Sequence, residues 1–291
     1  MMRTVFLTAL APIFWGTTYV IATELLPENR PLLVATIRAL PVGVLLVMSY
    51  RVLPQGIWWW RSLVLGALNI GLFFALLFLA TYRIAGGIVA TTGAIQPLLV
   101  VLFSWLLFGE RPTALVMLAA GIGIVGVGLL VLDPTARLDA LGVAAAIGAA
   151  LAMASGIALT KYWGRPVSLI VFTGWQLTAG GLVLAPFALF IEGGPPPLTS
   201  INVFGFIWLA LINTGLAYAL WFRGIEKLKA WQVSFLGLLS PIVAVFAGFL
   251  LLRQTLSLVQ IAGTILIFSS LVIVQRSSSG SSDKATSISR P

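Results

Sequence analysis

Ten stretches of the chain are apolar over enough length to cross a bilayer, and between them proline, glycine and charge collect in short segments. They fall near residues 4–23, 32–50, 62–81, 87–108, 114–132, 141–160, 168–191, 203–222, 232–252 and 258–275. Polar residues inside them are single and widely spaced, which predicts helices buried in lipid or in one another. The fold class this predicts is all-α and integral to the membrane. The first run carries Trp15 and Tyr19, has only Arg3 ahead of it and lacks a small-residue cleavage site. It therefore reads as a retained helix and not a signal peptide.

Composition closes off other classes. Of 291 residues, 60% are hydrophobic and 9% charged, so the spans leave almost nothing for a soluble domain. The chain has no His and no Cys, which removes imidazole and thiolate metal sites, disulfides and cysteine nucleophiles. No metal or other cofactor is expected, and no Walker A sequence supplies an ATP motor. The net charge of +9 is topological. With the N-terminus inside, Arg3, Arg51, Arg61, Arg111, Lys161, Arg165, Arg223, Lys227, Lys229, Arg276, Lys284 and Arg290 lie on the cytoplasmic side, against Arg30, Arg83, Arg137 and Arg253 outside. Both termini are then cytoplasmic, the partners are the bilayer and a small molecule, and no nucleic acid is expected.

The strongest signal is internal. Shifted by 144, residues 63–107 align with 207–251 without a gap, and 13 of the 45 positions are identical, including Asn69/Asn213, Gly71/Gly215, Gly93/Gly237 and Pro97/Pro241. At an offset of 138, Arg38 falls on Gln176 and Gly43 on Gly181. This predicts two five-helix repeats, residues 1–137 and 138–275, followed by a disordered cytoplasmic tail, 276–291. Five is odd, so the second repeat enters the membrane inverted, an architecture of alternating-access transporters with a site at the repeat interface.

Candidate site residues follow from this frame. Gly93 to Pro97 and Gly237 to Pro241 are hinge candidates, because proline deprives the glycine carbonyl of its helical donor. Thr92, Gln96 and Ser240 sit beside those breaks. Asn69 and Asn213 each place an amide in hydrocarbon, where it either binds substrate or bridges helices. Trp15, Gly16, Tyr19 and Thr23, next to Thr17 and Thr18, offer a mixed aromatic and hydroxyl face on the first helix, and Phe73, Phe74, Tyr82, Trp163, Tyr218 and Trp221 extend the aromatic lining. Tyr82 and Trp163 also suit interfacial anchoring. Arg38 is the one charge well inside a span, either a substrate carboxylate partner or a side chain snorkelling outward. The glycines at 121, 123, 126 and 128 and the small face Gly148, Ala152, Ser155 and Gly156 read as close packing, with Ser155 the lining candidate and the glycine-rich fifth span a surface that could also dimerise. No Asp, Glu or His lies mid-span, which points to facilitated diffusion or to coupling by a route other than a mid-span acid.

Ala11-Pro-Ile-Phe-Trp-Gly16, Arg38, Gln96-Pro97 and Phe108-Gly-Glu-Arg-Pro112, in that order along residues 4–275, resemble the EamA-type ten-helix members of the drug/metabolite transporter superfamily. Within it the chain is most similar to the YddG-type bacterial exporters of aromatic amino acids. The resemblance implies ten helices around a central cavity lined by the first, third, fourth, sixth, eighth and ninth, and export across the bacterial inner membrane. It carries Trp15, Asn69, Gln96, Asn213 and Ser240 into that cavity. One departure is visible: Leu252 to Thr255 (Leu-Arg-Gln-Thr) stands where many relatives keep a Gly-Glu turn.

The reading is an exporter or facilitator of zwitterionic amino acids with apolar, above all aromatic, side chains, working as a monomer. The competing readings are an exporter of another metabolite (a polar amino acid, nucleobase or sugar derivative), an enzyme acting on lipid phosphate, and a scaffold. The enzyme lacks a catalytic constellation, and the scaffold lacks loops long enough for recognition.

Overall fold

In a computed structural model, which describes residues 2–27, 30–84, 89, 92–131, 139–251 and 257–287, every regular element is helical. A chain that meets hydrocarbon must satisfy its backbone polar groups within its own segments, and an open apolar sequence of this kind does so as helix. The helices are α1 (Met2–Leu25), α2 (Pro31–Tyr50), α3 (Trp58–Gly66), α4 (Leu72–Arg83), α5 (Gln96–Phe108), α6 (Ala114–Val131) and α7 (Ala140–Trp163). They continue with α8 (Leu169–Phe187), α9 (Ser200–Ala210), α10 (Ala217–Lys227), α11 (Ala230–Leu236), α12 (Leu239–Leu251) and α13 (Leu258–Ser287). The last runs on into the Ser-rich stretch.

Six of these segments are long and apolar enough to cross a membrane: Pro31–Tyr50, Trp58–Thr81, Ala140–Trp163, Leu169–Glu192, Ser200–Lys227 and Ala230–Ala247. Three shorter apolar helices, Gln96–Phe108, Ala114–Leu130 and Leu258–Val274, accompany them. Leu252 to Thr255 and the tail beyond 287 lie outside the described residues.

Helix ends are closed locally. Asp139 accepts from the Gly142 N–H at 2.7 Å, and Thr199 with Asn202 forms a capping box at the start of α9. The start of α2 is capped from a distance, because the two carboxylate oxygens of Glu192 accept from the Leu32 and Leu33 N–H groups at 2.8 Å each. Gly109 ends α5 in the left-handed conformation (φ 68°) that L-residues disfavour.

Two departures from regular α-helix recur at related places. A π-helical turn, Ala67–Gly71, joins α3 to α4, and another, Leu211–Leu216, joins α9 to α10. Shifting the first by 144 lands it on the second, and each contains one of the paired asparagines. The second departure is the break between Gly93 and Gln96 and between Leu236 and Leu239. There the N–H of Ile95 turns to Thr92 O at 3.2 Å and that of Ser240 to Gly237 O at 3.0 Å, both three residues back. The carbonyl of Gly237, expected to lose its donor to Pro241, is therefore satisfied by a tighter turn. Pro97 stands in the first turn of α5, where its missing N–H removes no helical bond.

Helices from the two halves of the sequence pack on each other. The most extensive contacts are α2 with α8 and α6 with α13, followed by α4 and α5 on α7 and by α12 and α10 on α1. Small residues set the approach. A Cβ built on Gly263 would lie 2.6 Å from Gly126 O, and one on Gly126 would lie 2.9 Å from Gly263 O. Gly126 of the fifth span, with Gly123 beside Ser270, is thus covered inside the chain by α13, while Gly121 is left in open space.

Candidate functional site

The paired asparagines lie at the middle of their spans and are sealed: Asn69 is 1% exposed and Asn213 is 0%. A primary amide in that position must find partners, and each finds them on the opposite half. Asn213 Nδ2 donates to Phe14 O at 2.7 Å, Thr18 Oγ1 at 2.9 Å and Thr17 Oγ1 at 3.2 Å, all on α1. Asn69 Nδ2 donates to Gln176 Oε1 on α8 at 2.8 Å and to Thr160 Oγ1 on α7 at 3.2 Å.

The π-helical turns free backbone carbonyls for the same purpose. Asn213 O accepts from Trp15 Nε1 at 2.9 Å and from Arg38 Nη2 at 3.0 Å, while Arg38 Nε reaches Thr214 Oγ1 at 2.8 Å. In the other turn Asn69 O accepts from the Tyr218 hydroxyl at 3.3 Å. Arg38 and Gln176, the eighth residues of α2 and α8, therefore each grip the π-helical turn of the other half. Arg38 is buried, points inward and lies over the Phe74 ring at 5.1 Å. Its partners, a hydroxyl, a carbonyl and a ring, are all neutral.

Aromatic rings wall this layer. Trp15 packs on Tyr218 and Trp221 with centroids 5.1 and 5.0 Å away, both tilted. Pairs of this kind contribute about 0.5–1.5 kcal/mol beyond burial. Four buried polar atoms of the layer, Asn69 Oδ1, Asn213 Oδ1, Gln176 Nε2 and Trp221 Nε1, make no hydrogen bond within the described structure. Two acceptors and two donors of the layer are thus left without a partner among the described residues.

The structure brings Trp15, Thr18, Arg38, Asn69, Asn213 and Tyr218 of the expected residues into one cluster. Thr17, Phe74 and Trp221 of the same expected faces join them, and the structure adds Thr160, Gln176 and Thr214. Phe73 packs against Phe74 at 5.2 Å on the rim. Thr92, Gln96, Ser155 and Ser240 are half-buried and stand outside the hydrogen-bond network. A Cβ on Gly93 would meet nothing within 4 Å, so that break borders open space. Gly237 lies against Trp221, whose Cη2 would be 3.7 Å from an added Cβ. Trp163 is far down α7, where Arg61 is held between its ring at 5.3 Å and that of Trp58 at 5.2 Å. The side chains of Tyr19 and Tyr82 lie outside the described residues. Among the described residues no group of three or more carboxylate side chains gathers as a metal site would require.

The sequence profile of the EamA-like transporter family matches this chain twice, over residues 2–132 and 140–276. The chain belongs to the EamA-like transporter family. It is accordingly a multi-pass membrane transporter. Among its relatives, this EamA-like chain is 48% identical to Protein PecM of Dickeya dadantii, over 91% of this chain and 90% of that protein. It is 26% identical to a probable amino-acid metabolite efflux pump of Salmonella typhimurium, over 92% and 93% of the two. A solved crystal structure superposes with a TM-score of 0.80 over 94% of this chain and 96% of the other at 19% identity, a likeness of fold.

Proposed function

We propose that the chain is an inner-membrane exporter or facilitator of amino acids with apolar, above all aromatic, side chains, and that it works by alternating access as a monomer. Ten spans, six long helices joined by α1 and the three shorter apolar ones, form two inverted five-helix repeats with both termini in the cytoplasm. Three features favour the repeat: the family profile fits each half, the π-helical turns fall at one offset, and the helix pairing keeps its pattern when the halves are exchanged. In that exchange α2 with α8 and α6 with α13 map onto themselves, while α4 and α5 on α7 become α10 and α12 on α1.

The observation that carries the substrate reading is the sealed polar layer under the Trp15, Tyr218 and Trp221 rings. Its unpartnered amide oxygens can accept from an ammonium and its unpartnered N–H groups can donate to a carboxylate, while the rings take an apolar side chain by stacking. Arg38 supplies a fixed positive charge beside the carboxylate. Repacking the halves about the paired breaks would expose this layer first to one side and then to the other. Such a layer carries no titratable acid, so transport of a zwitterion needs no proton.

The test is uptake of labelled tryptophan into proteoliposomes, driven by its own gradient, with a pH gradient imposed in a parallel sample. Saturable uptake indifferent to pH is expected. No uptake by folded protein would refute the substrate class, and strict pH dependence would refute uncoupled transport. Arg38, buried and with neutral partners among the described residues, also favours a second reading, an acidic metabolite as cargo. Competition by glutamate or an organic acid stronger than that by tryptophan would establish it.

A further inference from the structure

A cleft of about 110 Å³ opens at the end of the bundle where α7 finishes, α8 begins and α10 finishes, lined by Thr160, Lys161, Arg165, Phe172, Phe222 and Glu226. Its mouth carries both signs of charge. Arg165 holds Glu226 in a two-point ion pair, Nε to Oε2 and Nη2 to Oε1 at 3.1 Å each, and Lys161 Nζ donates to Glu226 O at 2.7 Å. The pair is part-exposed, 31% and 38% for the two side chains, so water screens it and exchanging its partners costs little.

The cleft meets the polar layer at one residue. Thr160 lines the cleft and also accepts the hydrogen bond of Asn69. Phe172 and Phe222, which also line the cleft, pack edge-on with centroids 5.8 Å apart, and Phe222 in turn touches Tyr218 of the layer. At the opposite end of the bundle the charges that the structure describes are engaged as helix caps and loop ties. There the Glu192 carboxylate caps α2, Arg30 donates to the carbonyls of Glu192 and Gly194, and Asp139, 3.8 Å from Arg83, caps α7.

We propose that this cleft is the cytoplasmic loading site of the exporter, and that it selects a zwitterionic amino acid by exchanging the Arg165–Glu226 ion pair for the two charges of the substrate. The ammonium takes the Glu226 carboxylate, the carboxylate takes Arg165 with Lys161 beside it, and the apolar side chain enters edge-first against Phe172 and Phe222. The cleft is too small to enclose an aromatic amino acid whole, so it holds the head while the ring pair gates access to Asn69. The ligand class rests on the function proposed above.

The test compares wild type, Arg165→Gln, Glu226→Gln and the exchanged pair Arg165→Glu with Glu226→Arg, in proteoliposomes loaded from the cytoplasmic face with labelled tryptophan. Each single variant is expected to raise KM about tenfold with kcat changed less than about twofold. Arg165→Gln is expected to lose the preference for tryptophan over tryptamine, and Glu226→Gln the preference over indole-3-propionate. Unchanged KM, or full recovery of KM and selectivity in the exchanged pair, would make the bridge merely structural and overturn the proposal. The chain has no native Cys, so Lys161→Cys gives an independent reading if the other variants fold poorly. Tryptophan is expected to slow its alkylation, and absence of protection overturns the site. Protection that follows phosphatidylethanolamine content and not tryptophan would assign the cleft to a lipid headgroup, which also overturns it. A wild type that carries no tryptophan is a distinct outcome, since it defeats the function proposed above before any variant is compared.

Discussion

A Cβ placed on Gly156 would fall on the side-chain oxygen of Asn69, with the amide carbon 2.6 Å away and the backbone nitrogen at 3.2 Å. Gly156→Ala therefore cannot be accommodated while Asn69 keeps its bonds to Thr160 and Gln176. Interhelical hydrogen bonds in membranes average about 0.6 kcal/mol and reach about 1.7, and overpacking adds about 1–3 kcal/mol. Gly156→Ala is expected to cost about 2–4 kcal/mol. Asn69→Ala, which loses the same two bonds without a clash, is expected to cost about 1–2 kcal/mol. In the double variant the obstructing atoms are gone and only the 3.2 Å backbone approach remains. Its cost should then match Asn69→Ala alone, a coupling between the sites as large as the whole cost of Gly156→Ala, about 2–4 kcal/mol. Reversible unfolding in mixed detergent micelles, followed by circular dichroism, gives the three values. Costs that add to within about 0.5 kcal/mol would refute the argument that Gly156 exists to admit this amide.

Other consequences follow from the same contacts. Gly263→Val, which drives a Cβ to 2.6 Å from Gly126 O, should lower stability by at least about 3 kcal/mol, whereas Gly121→Ala, in open space, should change it by less than about 0.5 kcal/mol; thermal unfolding in detergent distinguishes the two. Pro97→Ala combined with Pro241→Ala should slow transport about tenfold with little change in melting temperature, because the breaks serve motion more than packing; transport at the wild-type rate would remove the hinge. Since no native Cys competes, Gln55→Cys should react with an impermeant thiol reagent only from the cytoplasmic side and Pro195→Cys only from the other. The reverse pattern would invert the topology.

Much of the architecture can be traced to particular residues. Asn69/Asn213, Gly93/Gly237 and Pro97/Pro241 pair at an offset of 144, and those pairs coincide with the π-helical turns and the helix breaks. The π geometry itself is not legible, since it depends on which carbonyls a distant Trp15, Arg38 or Tyr218 will engage. Gln176 is recoverable through its alignment with Arg38, but Thr160 and Thr214 have no counterpart at either offset, and a threonine in a membrane helix more often bonds its own backbone, as Thr173 does with Leu169 O at 2.8 Å. The run Trp58 to Trp60 illustrates the limit of composition: Trp59 and Trp60 are 57% and 63% exposed, as anchors should be, while Trp58 turns inward onto Arg61, Phe172 and Trp175. The loading cleft escapes a sequence reading because Arg165 and Glu226 are 61 residues apart and each alone reads as a cytoplasmic loop charge.

The central claim is that the two sealed amides are the substrate site of a carrier that alternates between sides. Counterflow measures this most directly: proteoliposomes preloaded with unlabelled tryptophan are diluted into a trace of labelled tryptophan, with wild type and the double variant Asn69→Ala, Asn213→Ala in parallel. Wild type should accumulate label transiently above equilibrium, and the double variant, still folded by circular dichroism, should not. An equal overshoot from both proteins would contradict the account.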